Sequence, residues 1–322
     1  MEATRGPIFV VGSNGSGTTL LRLMLDSHEH IAIPEETGFL RLAATHAWVP
    51  YWRLGKDWYR GLGLTEDQMY AEVARFYGGL FSAYAAGRGK RRWGDKTPFH
   101  VWHIDLAMRL FPDATVVGIV RHPAAVVSSL RRRFRRPVQR GTTHWMRTNR
   151  QLLHAGSALG DRFVLLRYED LVTDPERVMR TLLERLGEPW SDAVLSHHEL
   201  QPAATSTGFT RTDRAVDTAS LQEWESDLSS DELKRISART GRLSDFLGYL
   251  PDTAVPGQPL PILSGHDLAK RKAAAKEIDW SAPKPLAEDR ELRPPAPRKG
   301  RQAPDLAGLP VRDVIAHRLR RR

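Results

Sequence analysis

The apolar run Ile8-Phe9-Val10-Val11 passes straight into Gly12-Ser13-Asn14-Gly15-Ser16-Gly17-Thr18-Thr19, and few folds can house that junction. Four apolar residues in a row suit a strand buried on both faces, as in a parallel sheet covered by helices. The glycines at 12, 15 and 17 let the backbone turn tightly around an anion. A helix beginning at Thr18 would aim its unpaired N–H groups and positive dipole end at the same point. The junction therefore predicts a strand, a phosphate-binding loop and a helix in that order. Two more runs, 115–120 and 163–166, read as further buried strands. Segments 18–27, 124–136 and 175–186 follow the three runs and are helix-compatible, and Asp174-Pro175 supplies an N-cap with proline at the first helical position. This alternation predicts an α/β fold with three layers, α/β/α, on a central parallel sheet.

The same loop limits the chemistry. Against the nucleoside-triphosphate template G-x-x-x-x-G-K-[ST], Gly12, Gly17 and Thr19 are in register, but Thr18 stands where the lysine belongs. Kinases and ATPases need that lysine at the β- and γ-phosphates. The run 115–120 also ends in Arg121, where such enzymes place a metal-binding aspartate. A phosphate-bearing ligand is expected, without ordinary nucleotide hydrolysis.

At 322 residues the chain holds one sizeable α/β domain plus an appendage, and its net charge of +10 suits an anionic ligand. Charge alone does not choose among nucleotide, nucleic acid and membrane, and 39 of the 48 basic residues are arginine. The absence of cysteine excludes disulfides and thiolate metal sites. No run approaches the ~20 apolar residues of a membrane span, and the first strand begins too early for a secretory signal. A soluble, cytoplasmic protein is expected.

Residues 41–92 are rich in aromatics and poor in β-branched residues, and read as a helical insertion after the first strand–helix unit. Their rings either pack a core or wall an acceptor site. Beyond residue 250 the composition shifts: 251–322 holds 11 of the 21 prolines and 15 basic against 9 acidic residues. The expected division is a domain over 1–250 and a basic, Pro-rich tail over 251–322, largely disordered or extended, with a short helix over 311–319.

Ser16-Gly17-Thr18-Thr19-Leu20-Leu21 matches the end of the 5′-phosphosulfate loop of sulfotransferases, G-x-P-[RK]-S-G-T-T-x-L, and the chain resembles that family in three further places. Val116-Val117-Gly118-Ile119-Val120-Arg121-His122-Pro123 followed by Ser129 is similar to its 3′-phosphate motif. Trp93-Gly94-Asp95-Lys96-Thr97-Pro98 is similar to its lysine-bearing segment, and Leu166-Arg167-Tyr168-Glu169-Asp170-Leu171 to its later strand-to-helix turn. The motifs run in family order from residue 7 to about 250, and their layout is closest to bacterial and protein-tyrosine-type members. The resemblance implies a P-loop-NTPase-like fold and an enzyme using 3′-phosphoadenosine 5′-phosphosulfate (PAPS), with adenosine 3′,5′-bisphosphate (PAP) as product and no metal.

Carried onto this chain, Gly15, Ser16, Gly17, Thr18 and Thr19 would cradle the 5′-phosphosulfate, with Lys96 at the leaving phosphate oxygen. Arg121 and Ser129 would grip the 3′-phosphate, and Tyr168 would line the adenine pocket or pack in the core. The protein-tyrosine branch has a similar Glu-Glu-Thr after its first helix, which makes Glu36 the expected base, with Glu35 and His100 in reserve. The small-molecule branch uses a histidine where this chain has Pro98. Ser220-Leu221-Gln222-Glu223-Trp224 resembles a segment that closes over the nucleotide.

One position departs from the pattern: Gly15 stands where relatives carry Arg or Lys, so Lys96 and Arg22 are the cations left to supply its charge. Two alternatives follow, a non-catalytic nucleotide-binding protein on the same fold and a P-loop kinase. The acceptor is open among small molecule, glycan, lipid and peptide. No nucleic-acid partner is expected; Arg131-Arg132-Arg133 reads as a solvated or ligand-facing stripe rather than a nucleic-acid patch. The basic tail could tether the protein weakly to an anionic membrane or acidic partner at low salt.

Overall fold

The structure, a computed structural model, describes residues 5–46, 55–200, 216, 218–249 and 259–284. Its centre is β1 (Ile8–Gly12), buried along its whole length. From there the chain turns into α1 (Thr18–Ser27), a two-residue β2 (Ile31–Ala32), α2 (Phe39–Ala43) and a 3-10 turn (Gly55–Leu62). Next comes α3 (Glu66–Gly87), opened by a capping box in which Thr65 and Gln68 each accept the other's backbone N–H. It leads to β3 (Arg92–Lys96), a 3-10 turn (Pro98–His103), α4 (Ile104–Leu110) and β4 (Thr115–Val120). α5 (Pro123–Phe134), α6 (Val138–Gly156), β5 (Phe163–Arg167), α7 (Tyr168–Thr173) and α8 (Pro175–Leu186) follow. α9 (His197–Leu200), α10 (Glu223–Asp227) and α11 (Ser230–Phe246) precede β6 (Leu263–Ser264) and α12 (Gly265–Ala274).

The strands form one six-stranded sheet in the order β2-β3-β1-β4-β5-β6, parallel except for β6, which runs antiparallel to β5. Alternation along the strands divides the core between the two faces. Phe9, Val11, Val116 and Leu165 pack with Trp145 and Leu152 on one side, while Ile8, Val10, Val117 and Leu166 pack with Leu21, Leu25 and Leu182 on the other. From β1 the chain goes first to β2 and β3 and only then crosses to β4 and β5. That reversal opens a crevice at the carboxyl ends of β1, β3 and β4, where open α/β sheets bind ligands.

β3 is buried at every position although no apolar run announces it. Its charged residues are tolerated because they are paired: Arg92 Nη1 donates to Glu188 Oε1 at 3.1 Å and Lys96 Nζ to Glu36 Oε1 at 2.6 Å. The described aromatics of the insertion serve mainly the core, not an acceptor wall. Phe81 stacks on Trp93 at 4.8 Å and Phe39 meets Tyr77 at 5.0 Å, whereas Phe76 is exposed. Trp48, Tyr51 and Trp52 lie outside the described residues.

The boundary expected after residue 250 is corrected, because the compact unit runs to Pro285. Leu263 and Leu268 are buried, β6 covers the edge of β5, and Ser264 caps α12 through a reciprocal pair with Asp267. Asp170 accepts the Leu260 N–H at 3.2 Å, and Trp280 packs on Phe246 at 4.7 Å. The proline count hid this docking, since a two-residue strand and a short helix need little apolar sequence. The helix expected over 311–319 lies outside the described residues. Truncation after Leu250 is therefore expected to lower Tm by many degrees or prevent folding. Burial of Leu263 and Leu268 alone is worth ~1.5–3 kcal/mol each, against a total stability of ~5–15 kcal/mol. A thermal melt of the truncated chain that overlays the full one would show the docking to be inconsequential.

Candidate active site

The loop after β1 is built from buried hydroxyls and glycines that accept no side chain. Ser13 and Ser16 are wholly enclosed, and their Oγ atoms have no hydrogen-bond partner among the described residues. Ser16 N–H closes the turn onto Ser13 O at 2.9 Å. Gly17, at φ +98°, caps α1 without any side-chain hydrogen bond to the first-turn N–H groups, and that turn carries no acidic residue. A Cβ on Gly17 would fall 2.2 Å from the Tyr168 ring, so the glycine is required by close approach as well as by φ. Buried hydroxyls without a partner and a helix N-terminus without a side-chain cap, side by side in one glycine-rich loop, fit a phosphate-bearing ligand. Thr18 and Thr19 are buried at the start of α1, where the sequence placed them.

Lys96, at the end of β3, reaches this cradle. Its Nζ donates to Thr19 Oγ1 at 3.3 Å and to Glu36 Oε1 at 2.6 Å. Burial pushes the lysine below its usual value, while the adjacent Glu36 carboxylate pushes it back up. Lys96 is buried and bonded to Glu36, which keeps its side chain 48% exposed. Glu36 is thus the carboxylate at the cradle. Glu35 is exposed and enters the field of Arg22 instead. His100 is withdrawn as a reserve base: it is buried, its Nε2 accepts the Leu40 N–H at 3.3 Å, and its Nδ1 lies 2.9 Å from Asp95 Oδ1.

The second corner lies at the end of β4. Arg121 Nη1 donates to Gly15 O at 3.1 Å, and its guanidinium lies 4.2 Å from the centre of the Tyr168 ring. Tyr168 is therefore sandwiched between Gly17 and Arg121 in the buried core. The turn carrying Arg121 is locked on both sides, a feature sequence reasoning missed. Trp145 Nε1 donates to Arg121 O at 2.8 Å, and Glu169 accepts the His122 N–H at 2.8 Å and the Tyr249 hydroxyl at 3.0 Å. Burial holds the Glu169 carboxyl above the usual carboxylate range, against the pull of its hydrogen bonds and of Arg121. Trp224 stacks on His122 at 5.0 Å, closing this corner from α10.

Gly15 and Ser129 touch. A Cβ at Gly15 would lie 2.9 Å from Ser129 Oγ, on a backbone at φ +89°. The corner is closed around glycine, so restoring the family's basic residue with Gly15→Arg should displace Ser129 and the Arg121 contact. Titration calorimetry with PAP is expected to show affinity about tenfold weaker, the loss of one hydrogen bond of ~1.4 kcal/mol. Tighter binding than wild type would show that the corner can house the side chain.

The arginine stripe on α5 divides. Arg131 pairs with Glu232 at 3.2 Å, and Arg132 with Glu223 at 3.0 Å and Asp227 at 3.2 Å. Arg133 is lowered by burial, against the pull of Glu36, whose field it shares. It joins Lys96 and Arg22 as positive charge near a loop that lacks its own. Arg22 is buried beside Asp26 at 3.9 Å and also acts electrostatically on Lys96.

His28, His30 and Glu188 place one candidate ligand atom each within 4.8 Å of one another, at the opposite end of β3 from Lys96. Their chemistry opposes a metal. His28 has Pro189 O at 2.9 Å and the His30 N–H at 3.0 Å on its two ring nitrogens, and Arg91 and Arg92 already hold Glu188 at 3.2 and 3.1 Å. Among the described residues no helix is long and apolar enough to cross a membrane.

Comparison with known proteins gives the family and the fold. The profile of the "Sulfotransferase family" matches residues 7–192. The chain is 29% identical over 289 residues to protein-tyrosine sulfotransferase 1 of Danio rerio, covering 84% of this chain and 80% of that protein. It is 29% identical over 305 residues to protein-tyrosine sulfotransferase 1 of Homo sapiens, covering 88% and 81%. Among solved structures, it is similar to the sulfotransferase domain of the Synechococcus olefin synthase, with TM-score 0.57, 25% identity, and 78% of this chain and 98% of that one covered. The sulfotransferase domain from the curacin biosynthetic pathway shares the fold, with TM-score 0.51, 22% identity, and 74% and 98% covered.

Proposed function

This chain belongs to the sulfotransferase family, and we propose that it moves a sulfuryl group from PAPS to the phenolic hydroxyl of a tyrosine in a peptide or protein. The observation carrying the proposal is the Glu36–Lys96 pair, 2.6 Å apart at the mouth of a glycine-lined cradle with orphaned hydroxyls. The loop N–H groups, Ser16, Thr18 and Thr19 hold the 5′-phosphosulfate; Lys96 neutralises the bridging oxygen as the bond from it to sulfur breaks. Glu36 takes the proton of the acceptor hydroxyl as that oxygen bonds to sulfur. PAP leaves with the electrons of the broken bond, and Glu36 returns its proton to solvent. Arg121 and Ser129 hold the 3′-phosphate.

The family settles two alternatives: it is one of enzymes that transfer sulfate, so neither a P-loop kinase nor an inert binding protein describes the chain. The tyrosine acceptor is supported by the names of the relatives and by Glu36 in a Glu-Glu-Thr segment. Incubation with ³⁵S-labelled PAPS should label a tyrosine-containing peptide and not its phenylalanine counterpart. Label on a glycan, lipid or non-phenolic alcohol but never on the peptide would overturn the acceptor assignment.

Arg121→Ala tests the nucleotide corner. A charged hydrogen bond is worth ~1.5–3 kcal/mol, so PAP affinity should fall roughly 10- to 150-fold. The affinity for adenosine 5′-monophosphate should barely move. Equal losses for both nucleotides would remove Arg121 from the 3′-phosphate.

A further inference from the structure

Asp95 and Lys96 are consecutive on β3, so their side chains leave opposite faces of the sheet. Lys96 turns to the phosphate loop; Asp95, with no exposed surface, turns to the other side. Glu36 and Thr37 are consecutive in the segment after β2 and divide in the same way. Glu36 meets Lys96 at 2.6 Å, and Thr37 Oγ1 donates to Asp95 Oδ2 at 2.5 Å. The segment is thus clasped at two adjacent points on either side of the strand end.

The clasp extends inward from Asp95. Its Oδ1 lies 2.9 Å from His100 Nδ1, and His100 Nε2 accepts the Leu40 N–H at 3.3 Å. Gly38 N–H donates to Thr97 Oγ1 at 3.2 Å, and Phe39 N–H to Thr37 Oγ1 at 3.3 Å. Three consecutive backbone N–H groups after Thr37 are therefore held by side chains, those of Thr97, Thr37 and His100, two of them from just beyond the end of β3. The Glu36 side chain, half exposed, has no such anchorage of its own. Its one described bond, to Lys96, is open to solvent on the glutamate side, and ordering a glutamate costs ~1.5–2 kcal/mol of rotamer entropy.

We propose that Asp95 is a positioning residue for the base: through Thr37 it pins the segment that presents Glu36, keeping the carboxylate at the cradle when the Lys96 charge turns to the leaving oxygen. The inference rests on Glu36 acting as the base. Asp95 itself touches neither substrate nor the reacting atoms; its contribution is the placement of another group.

Thr37→Val tests it, because Thr37 is exposed and the change removes the hydroxyl without touching Lys96 or Glu36. Turnover of a tyrosine peptide at saturating PAPS should fall ~10- to 100-fold, the scale of a misplaced catalytic group. PAP affinity should stay within about twofold, since the cradle is untouched. Hydrogen–deuterium exchange at the Gly38 and Leu40 amides should speed up about tenfold or more as the segment loosens. Thr37→Ser should restore all three values, and Asp95→Asn should repeat the loss. Unchanged turnover in Thr37→Val, or a loss matched by an equal loss of PAP affinity, would overturn the proposal. Glu36→Gln, run in parallel, separates the two ideas. Wild-type turnover in Glu36→Gln would sink the base assignment, whereas an inactive Glu36→Gln beside an active Thr37→Val would sink only the positioning role.

Discussion

Glu36→Gln is expected to lower sulfuryl transfer ~10²–10⁴-fold, the span of a lost general base, with melting temperature unchanged. Glutamine keeps the length of the side chain and can still accept from Lys96, so the segment after β2 stays in place. What disappears is the capacity to take up a proton. PAP affinity should hold or rise, because Lys96 is no longer shared with a carboxylate 2.6 Å away. Single-turnover transfer with labelled PAPS and calorimetry with PAP measure the two effects separately. A greater loss in Glu35→Gln would move the base to its neighbour, although Glu35 is exposed and faces Arg22 rather than the cradle.

Lys96→Ala should cost ~10²–10³ in transfer rate, as expected for one donor aimed at developing charge, and far less in affinity for the donor PAPS. The bridging oxygen gains its charge only as its bond to sulfur breaks, so the lysine acts on a charge that the bound donor does not yet carry and that PAP retains. A rate within a few-fold of wild type would remove Lys96 from the mechanism. The same lysine sets a pH limit. Burial lowers it from the ordinary 10.5, so transfer should decline on the alkaline side before that pH, and Glu36→Gln should move the decline lower by removing the carboxylate that raises it. Stability moves in the opposite direction. With the folded value below 10.5, the unfolded chain binds the proton more readily, so this group's contribution is fully present above 10.5 and is lost as pH falls through the folded value. The slope of Tm against pH in wild type and Lys96→Ala should differ only across that window.

Residues whose partners are near in sequence were readable. Gly12, Gly15 and Gly17 announce the loop because only glycine meets the local demands of φ and approach, and 115–120 announces its strand through apolar residues alone. β3 gave no such signal. It is charged at Arg92, Asp95 and Lys96, and what makes it a buried strand is Glu188, 96 residues from Arg92, together with Thr37 and Glu36. Arg131, Arg132 and Arg133 look alike in a row. Acids at 223, 227 and 232 claim the first two, and the site takes the field of the third.

Backbone conformation and apolar periodicity are local properties, and by themselves they determined the strand–loop–helix junction, the layered α/β/α class and the anion-binding character of the loop. The family motifs added which cations and carboxylates to watch. Only tertiary structure decided that Glu36, not Glu35 or His100, faces Lys96, that Gly15 closes against Ser129, and that residues 259–284 dock on the sheet edge. Each of these depends on a contact with a partner tens of residues away, and the first on pairing a buried charge. In the low-dielectric interior an unpaired group is costly and a paired one is tolerated, so the pairing, which a linear sequence does not display, selects the arrangement.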